Sequence, residues 1–172
     1  MPNKSYIHPT ALLSDNVIVE EDVYIGPYCV IGFPPEWRDK EDLNNKGVLI
    51  KKGTRLTGLV TVDSGVDRVT TVGENCYLMK HSHVGHDAIL EDNVTLSCGA
   101  KVGGNSIIGK KTNIGLNAVI HQKLTIPEGC MIGASGFVGK KSALKPYHKY
   151  AGVPVKELGP NTIKNDLNST TV

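Results

Sequence analysis

The chain has 172 residues, with 19 lysines and arginines, 17 aspartates and glutamates, and a net charge of +2. This near balance gives no basis for a polyanionic partner such as nucleic acid, and no run of about 18 apolar residues is available to span a membrane. The N-terminal residues also lack the apolar run of a signal peptide, so we expect one cytoplasmic domain with a short tail.

An aliphatic residue recurs at every sixth position along most of the chain. Three runs share this spacing: Ile7, Leu13, Val19, Ile25 and Ile31; Ile50, Leu56 and Val62; and the twelve positions from Val72 to Val138. A period of six fits neither an amphipathic helix nor one long strand, and it is typical of solenoids whose repeats bury their apolar residues by stacking. We therefore predict an all-β fold, a parallel β-helix over residues 1–143 with three six-residue faces in each coil.

Two insertions interrupt this repeat. Thirteen residues are added between Ile31 and Ile50, and four are added between Val62 and Val72. Insertions in a solenoid become loops on one face, which is often the binding face. We predict loops near residues 33–49 and 63–71, and we expect the first, which is charged and carries the only tryptophan, to contribute to binding.

The repeat is expected to end after Val138, and residues 144–172 form a C-terminal extension. The basic, proline-interrupted segment 140–158, which begins just before this extension, is expected to run back along the solenoid, and residues 160–167 are predicted to form a short helix. The four cysteines show no CxxC pairing, and Cys29, Cys76 and Cys130 share the fifth position of a repeat. That position indicates small packing residues, not zinc ligands or a disulfide framework.

Histidines concentrate in one short segment, where His81, His83 and His86 are followed by Asp87. A solenoid of stacked aliphatic residues has no structural need for three histidines there. Imidazole can act as a base near neutral pH without a large pKa shift, and the adjacent carboxylate can orient it or stabilise its charge. We select His86 as the candidate base and Asp87 as its partner.

The coil of 18 residues adds candidates from the neighbouring coils. Gly104 lies 18 positions beyond His86, and a glycine there can present a bare backbone N–H beside the imidazole. A base next to a preorganised backbone donor is the arrangement that acyl transfer needs, because a tetrahedral oxyanion must be stabilised. His121 and Gln122 lie close to two coils away and are candidate substrate contacts.

Two other interpretations remain open from the residues alone. His81, His83 and His86 could supply two or three imidazole ligands to a zinc ion, as in a hydratase of the γ-carbonic anhydrase type. A non-catalytic assembly or binding subunit could also be built on the same solenoid.

The pattern resembles that of the left-handed β-helix acyltransferases, and in particular the bacterial UDP-N-acetylglucosamine O-acyltransferases of lipid A synthesis, over roughly residues 5–165. The most specific similarity is the motif formed by Leu78, Met79, His83, His86 and Asp87. The resemblance implies that His86 is the general base, that Gly104 donates to the oxyanion, and that His83 and His121 contact substrate. Asn105 stands where the family has a histidine, and the family's C-terminal helical domain has no counterpart in these 172 residues.

Weaker similarities suggest further contacts. The stretch from Pro34 through Glu36 to Arg38 resembles a family loop, and we assign Glu36 and Arg38 to substrate binding. Residues 151–156 resemble the Gly-Val-Pro-x-Lys ending of acetyl-CoA-dependent transferases. The candidates for acyl-donor binding are Gly115, Lys140, Lys141 and Lys156.

The resemblance implies acyl-CoA or acyl carrier protein as cosubstrate, a nucleotide sugar as acceptor and a homotrimer, with no resident cofactor or metal. An acetyl-CoA-dependent sugar O- or N-acetyltransferase is the main alternative within this class.

Overall fold

The computed structural model describes residues 4–38 and 44–162, which contain 22 β-strands and no helix. In chain order the strands are β1 Tyr6–Ile7, β2 Leu12–Leu13, β3 Val17–Val19, β4 Tyr24–Ile25, β5 Val30–Ile31, β6 Val48–Ile50, β7 Arg55–Leu56, β8 Thr61–Val62, β9 Thr70–Val72, β10 Tyr77–Leu78, β11 His83–Val84, β12 Ile89–Leu90, β13 Thr95–Leu96, β14 Lys101–Val102, β15 Ile107–Ile108, β16 Asn113–Ile114, β17 Val119–Ile120, β18 Thr125–Ile126, β19 Met131–Ile132, β20 Phe137–Val138, β21 His148–Ala151 and β22 Lys156–Pro160. Within these residues, no helix is long and apolar enough to cross a membrane.

Successive strands belong to three different sheets, so the chain winds around a triangular prism. Sheet 1 has the order β1-β4-β7-β10-β13-β16-β19-β21-β22, sheet 2 has β2-β5-β8-β11-β14-β17-β20, and sheet 3 has β18-β15-β12-β9-β6-β3. Strands three apart in sequence pair in parallel, as in the pairing of Leu78 with Leu96. This topology confirms the predicted all-β solenoid.

The six-residue repeat supplies the core. The last residue of every strand from β4 to β20 is buried, and these side chains stack along the interior of the prism. Burying one such aliphatic side chain contributes about 1.5–3 kcal/mol to the free energy of unfolding. A two-residue strand cannot bury its side chain alone, so this stability depends on stacking against the neighbouring coils. Cys29, Cys76 and Cys130 are free and buried in this core, as their position in the repeat predicts.

Besides the buried aliphatic residues, the repeat contains glycines and asparagines at the corners of the prism, and the backbone geometry explains them. A Cβ atom added at Gly115 would lie 2.5 Å from the Ile132 carbonyl oxygen of the next coil, so the corner has no room for a side chain. Two residues after Gly115, the backbone turns through positive φ at Asn117 (52°), and Asn93, which has the same place in its own repeat, does so too (60°). Asparagine tolerates this left-handed conformation better than most residues.

Both insertions leave the prism at the same edge, the corner that follows sheet 2 and precedes sheet 3. The first runs from the end of β5 to β6, with residues 39–43 outside the described part, and the second runs from β8 to β9. The two loops are hydrogen-bonded to each other. Ser64 N–H donates to the Phe33 carbonyl at 2.8 Å, and Gly47 and Gly65 form an isolated antiparallel bridge.

The C-terminal segment differs from its prediction. It does not run back along the solenoid: β21 adds one more parallel strand to sheet 1, pairing Tyr150 with Ile132, and β22 folds against β21 as an antiparallel hairpin. The repeat also continues past Val138, since Leu144 packs against the core and Tyr150 is 2% exposed within it. The expectation failed because an aromatic residue replaces the aliphatic one in the last coil.

Pro160 ends β22 and residues 161–162 are not helical, so the helix predicted at 160–167 does not begin there, and its residues 163–167 lie outside the described part of the chain. The boundary proposed at residues 143 and 144 falls between β20 and β21 and stays a prediction.

Candidate active site

Four of the candidate residues lie along one edge of the prism. Sheet 2 pairs Val84 with Val102, Val102 with Ile120, and Ile120 with Val138. The residues two positions later therefore follow one another along the corner between sheets 2 and 3: His86, Gly104, Gln122 and Lys140. We call this corner the histidine edge, and it is the edge at which both insertions leave the solenoid.

His86 is paired with Asp87 in the geometry of a catalytic dyad. The Nδ1 atom of His86 lies 2.6 Å from Oδ2 of Asp87, and the carboxylate is fully buried while 20% of the histidine side chain is exposed. The carboxylate accepts a hydrogen bond from the proton on Nδ1. In the neutral imidazole the second nitrogen, Nε2, therefore carries the lone pair. The imidazole is thus oriented with its basic nitrogen away from Asp87.

The second insertion holds Asp87 in its charged form. Its Oδ1 atom accepts hydrogen bonds from the backbone N–H groups of Val66 (3.0 Å), Asp67 (2.8 Å) and Arg68 (2.8 Å). Burial alone would raise the pKa of the carboxyl group, but the hydrogen bonds from Arg68, His86, Asp67 and Val66 together hold the pKa below its ordinary value. An ionised Asp87 can stabilise a protonated His86.

Gly104 faces the basic nitrogen of His86 from the next coil. A Cβ atom built at Gly104 would lie 2.6 Å from His86 Nε2, so only glycine leaves the imidazole undisturbed. The Gly104 carbonyl accepts from Lys123 N–H at 2.9 Å, whereas its own N–H donates no hydrogen bond within the described residues. An unused backbone donor therefore lies beside the candidate base.

At other corners of this molecule, the backbone N–H at the repeat position of Gly104 donates a hydrogen bond to a carboxylate oxygen. The backbone N–H of Glu74 donates to Asp92 Oδ1 at 3.0 Å, and that of Lys110 donates to Glu91 Oε2 at 3.0 Å. These N–H groups occupy the same place in the repeat as that of Gly104, two residues after the buried aliphatic residue. The corner geometry is thus suited to receiving a negatively charged oxygen.

The loops form two pockets beside the dyad, and Glu36 lines both. The first, of about 350 Å³, is lined by Val30, Phe33, Pro34, Glu36, Thr61, Val62, Asp63 and His83. The second, of about 400 Å³, is lined by Pro35, Glu36, Trp37, Asp67, His86, Asn105, Gln122 and Lys123. The predicted residues Glu36, His83, His86 and Gln122 are therefore brought together around these cavities.

His83 is held in the first pocket by neighbours from the preceding coil. Its Nδ1 atom lies 2.8 Å from Thr61 Oγ1, and its Nε2 atom lies 3.7 Å from Asp63 Oδ2. Burial lowers the pKa of His83, helped by the charge of Lys101. Burial also raises the pKa of Asp63 to about 6; the charge of His86 lowers this pKa, and the charge of Glu36 raises it. A neutral His83 is suited to hydrogen bonding.

Asp63 is a site residue that the sequence analysis missed. Val62 pairs with Val84, so Asp63 occupies in its coil the place that Gly85 occupies in the next. The offset between these coils is 22 residues, 18 for the coil and four for the insertion. Carrying the insertion through the coil count would have found Asp63.

Two predicted substrate contacts lie apart from the others. His121 is turned toward its neighbour, with Nδ1 3.0 Å from the Gln122 carbonyl oxygen, and it does not line the second pocket although Gln122 does. Arg38 is exposed at the end of the first described segment and does not line either pocket. Their roles as substrate contacts stay predictions.

The residues predicted to bind the acyl donor lie in three places. Lys140 and Lys141 line a third pocket of about 570 Å³, whose walls include Phe137, Val153 and Val155. Lys140 lies on the histidine edge three coils from His86, which is about 14 Å at about 4.8 Å per coil. Gly115 lies at the corner between sheets 1 and 2, where it is needed for close stacking, and Lys156 is exposed on β22.

The three histidines of the cluster do not converge on one point. His81 is exposed at the corner that precedes β11, where its φ is 63°, whereas His86 lies at the corner that follows β11. Within residues 4–38 and 44–162, no group of three or more His, Cys, Asp or Glu side chains is placed to hold a metal ion.

Known proteins share both the repeat and the fold. Residues 70–104 match the bacterial transferase hexapeptide family (six repeats). Over 105 residues the chain is 36% identical to the acyl-[acyl-carrier-protein]–UDP-N-acetylglucosamine O-acyltransferase of Campylobacter lari, an alignment that covers 52% of this chain and 40% of that protein. The chain spans less than two thirds of the length of such curated relatives.

Solved structures extend the similarity to nearly the whole chain. The UDP-N-acetylglucosamine acyltransferase of Bacteroides fragilis superimposes with a TM-score of 0.85 and 25% identity, covering 92% of this chain and 62% of that one. A perosamine N-acetyltransferase from Caulobacter crescentus, in complex with CoA and GDP-perosamine, has a TM-score of 0.58 and 20% identity over 92% of this chain and 58% of that one. The hexapeptide match and these similarities confirm the resemblance to the hexapeptide acyltransferases and identify the solenoid as a left-handed β-helix.

Proposed function

We propose that this chain is an acyltransferase that moves an acyl group from a thioester to a hydroxyl or amine of a nucleotide sugar. The observation that carries the proposal is the His86–Asp87 dyad, whose basic nitrogen lies beside Gly104, a residue with an unused backbone N–H. A base and an oxyanion donor side by side are the two elements that acyl transfer requires. The similarity to a UDP-N-acetylglucosamine O-acyltransferase and to a sugar N-acetyltransferase supports the choice of a nucleotide sugar.

In the proposed reaction, His86 Nε2 removes the proton from the acceptor hydroxyl or amine as the acceptor attacks the thioester carbonyl. The resulting tetrahedral oxyanion accepts a hydrogen bond from Gly104 N–H, while ionised Asp87 stabilises the imidazolium. When the intermediate collapses, the carbon–sulfur bond breaks and the leaving thiolate takes the proton from His86. The dyad thus returns to its starting state, and the products are an acylated sugar and a free thiol.

The pockets suggest where the two substrates lie. Glu36, Asp63, Thr61 and His83 offer hydrogen-bonding groups to the part of the nucleotide-sugar acceptor that enters the first pocket. Lys140 and Lys141 offer positive charge beside an apolar cavity, which suits a thioester whose carrier bears phosphate, either acyl-CoA or acyl carrier protein. A homotrimer and a cytoplasmic location are predictions that accompany this proposal.

The zinc hydratase alternative has less support. His81 lies at a different edge from His86, so the cluster does not offer three convergent imidazoles within one subunit. A zinc hydratase also gives no role to the N–H of Gly104.

The proposal is tested by offering purified protein acetyl-CoA or an acyl carrier protein thioester, each with a panel of UDP- and dTDP-sugars. Thiol release and the mass of the nucleotide sugar are measured for the wild type and for His86→Ala. We expect one nucleotide sugar to gain the mass of an acyl group. The rate of this transfer should be at least about 100-fold lower in His86→Ala than in the wild type. An undiminished rate in His86→Ala would reject the catalytic assignment, and stoichiometric zinc with CO₂ hydration would favour the hydratase.

A further inference from the structure

Trp37 lies directly beside the candidate base, in a position that the reaction outlined above does not use. The centroids of the Trp37 and His86 rings are 5.7 Å apart, and the ring planes are inclined by 33°. The Trp37 side chain remains 44% exposed and lines the second pocket together with His86. The indole therefore forms part of the pocket wall next to the reacting nitrogen.

The loop that carries Trp37 is anchored in the residues that directly precede it. Pro35 is buried, and the Phe33 carbonyl accepts a hydrogen bond from Ser64 N–H at 2.8 Å, which ties the first insertion to the second. Because the second insertion also binds Asp87, the elements that position Trp37 and the dyad are connected. This connection fixes the place of the indole relative to His86.

The second pocket combines one apolar wall with a polar rim. Trp37 and Pro35 provide the wall, and the rim carries Glu36, Asp67, Asn105, Gln122 and Lys123. A sugar ring has the matching character, since its C–H face packs on an aromatic surface while its hydroxyl groups bond to polar side chains at the edge. An acyl chain would leave the polar rim without partners.

Distance distinguishes the reacting sugar from the nucleobase of the same acceptor. The group that loses its proton must lie about 3 Å from His86 Nε2, so the ring bearing that group lies next to both rings of the Trp37–His86 pair. The nucleobase is separated from this sugar by the ribose and the diphosphate. The ring that reaches Trp37 is therefore the sugar that becomes acylated.

We propose that Trp37 is an acceptor-binding residue whose indole stacks on the C–H face of the sugar ring that receives the acyl group. The inference rests on the proposed function, because it takes the acceptor to be a nucleotide sugar. It adds a residue that neither the sequence analysis nor the dyad geometry had assigned to substrate.

Trp37 is the only tryptophan of the chain, so intrinsic fluorescence reports on this site alone. The protein is titrated with UDP-N-acetylglucosamine and, separately, with UDP, which lacks the sugar. We expect a saturable change in emission with the nucleotide sugar and none with UDP at the same concentrations. An unchanged emission at saturating nucleotide sugar would overturn the assignment, and so would an equal change with UDP, which would place the nucleobase against the indole.

The two proposals fail in different ways in this experiment. A sugar-dependent change in emission without acyl transfer from either thioester would support the Trp37 site and reject the acyltransferase. His86-dependent transfer with no change in emission would reject the Trp37 site and leave the acyltransferase intact.

Substitution separates binding from packing. Trp37→Ala should raise the acceptor KM about 10-fold, equivalent to about 1.4 kcal/mol, with kcat nearly unchanged, and Trp37→Phe should restore most of the affinity. If Trp37 only supports the His86 ring, Trp37→Ala would lower kcat and leave KM unchanged, and the proposal would be overturned.

Discussion

The coils from β9 to β20 and the coils that precede them are built on the same repeat, but only the earlier ones are interrupted. Both interruptions lie at the histidine edge, and the other two edges of the described solenoid carry none. The uninterrupted part buries one aliphatic residue in every strand, whereas the interrupted part supplies Glu36, Trp37 and the N–H groups that bind Asp87. The repeat thus explains the fold and brings Gly104 beside His86, and the departures from it add the pocket walls and the N–H groups that bind Asp87.

This division predicts that changes at the histidine edge reduce activity and that changes in the regular core reduce stability. The largest effect is expected for Asp87→Asn. The amide would donate to Nδ1 of His86 in place of accepting from it, which moves the imidazole proton to Nε2 and removes the base. We expect kcat to fall about 1,000-fold with the acceptor KM little changed, as measured by thiol release. Near wild-type turnover would show that the dyad is not catalytic.

The next largest effect is expected in the regular core, for Ile114→Ala. This side chain is fully buried between its equivalents in neighbouring coils, so its truncation leaves a cavity and should cost about 3 kcal/mol in the free energy of unfolding. Leu116→Ala is the control because Leu116 is 52% exposed, and it should cost less than about 0.5 kcal/mol. Equal losses in denaturant unfolding would contradict the stacked-core description.

Gly103 and Gly104 test the division with two adjacent residues. A Cβ at Gly104 would lie 2.6 Å from His86 Nε2, whereas one at Gly103 would lie 2.5 Å from the backbone nitrogen of Gln122. A side chain can move aside more easily than the backbone of the next coil. Gly104→Ala should therefore lower kcat about 100-fold with little change in Tm, and Gly103→Ala should mainly lower Tm. The opposite pattern would place Gly104 in the structural framework.

The smallest effect concerns Asp63 and depends on pH. Its pKa is raised from 3.8 to about 6 in the folded protein, so the folded state binds the proton more tightly than the unfolded state does. Wild-type stability should therefore decline as the pH rises from about 4 to about 6, because ionisation is disfavoured by burial. Asp63→Asn removes this contribution, and its Tm should decline less over the same interval. Parallel declines in thermal unfolding would contradict the raised pKa.

The regular repeat made the fold predictable, because each six-residue unit repeats the same burial pattern and the coil length follows from three faces. The same count placed Gly104 beside His86. It did not extend to the last coil, where Tyr150 and the β21–β22 hairpin replace the aliphatic pattern.

The count failed for Trp37, because its position depends on an inserted loop that follows no repeat. Asp63 was missed for a different reason: its place follows from the repeat once the four inserted residues are counted. Contacts between the two loops, such as the hydrogen bond from Ser64 N–H to the Phe33 carbonyl, determine the path of these segments. Such long-range contacts are not encoded in the spacing of apolar residues.

The most direct test of the account compares two histidines that are close in sequence but lie at different edges of the prism. His86→Ala removes the base at the histidine edge, and His81→Asn changes the preceding corner while tolerating its positive φ of 63°. The measurement is the rate of acyl transfer to the nucleotide sugar, followed by product mass. We expect transfer to be lost in His86→Ala and retained in His81→Asn. Equal rates in the two variants would contradict the location of the reaction at the histidine edge.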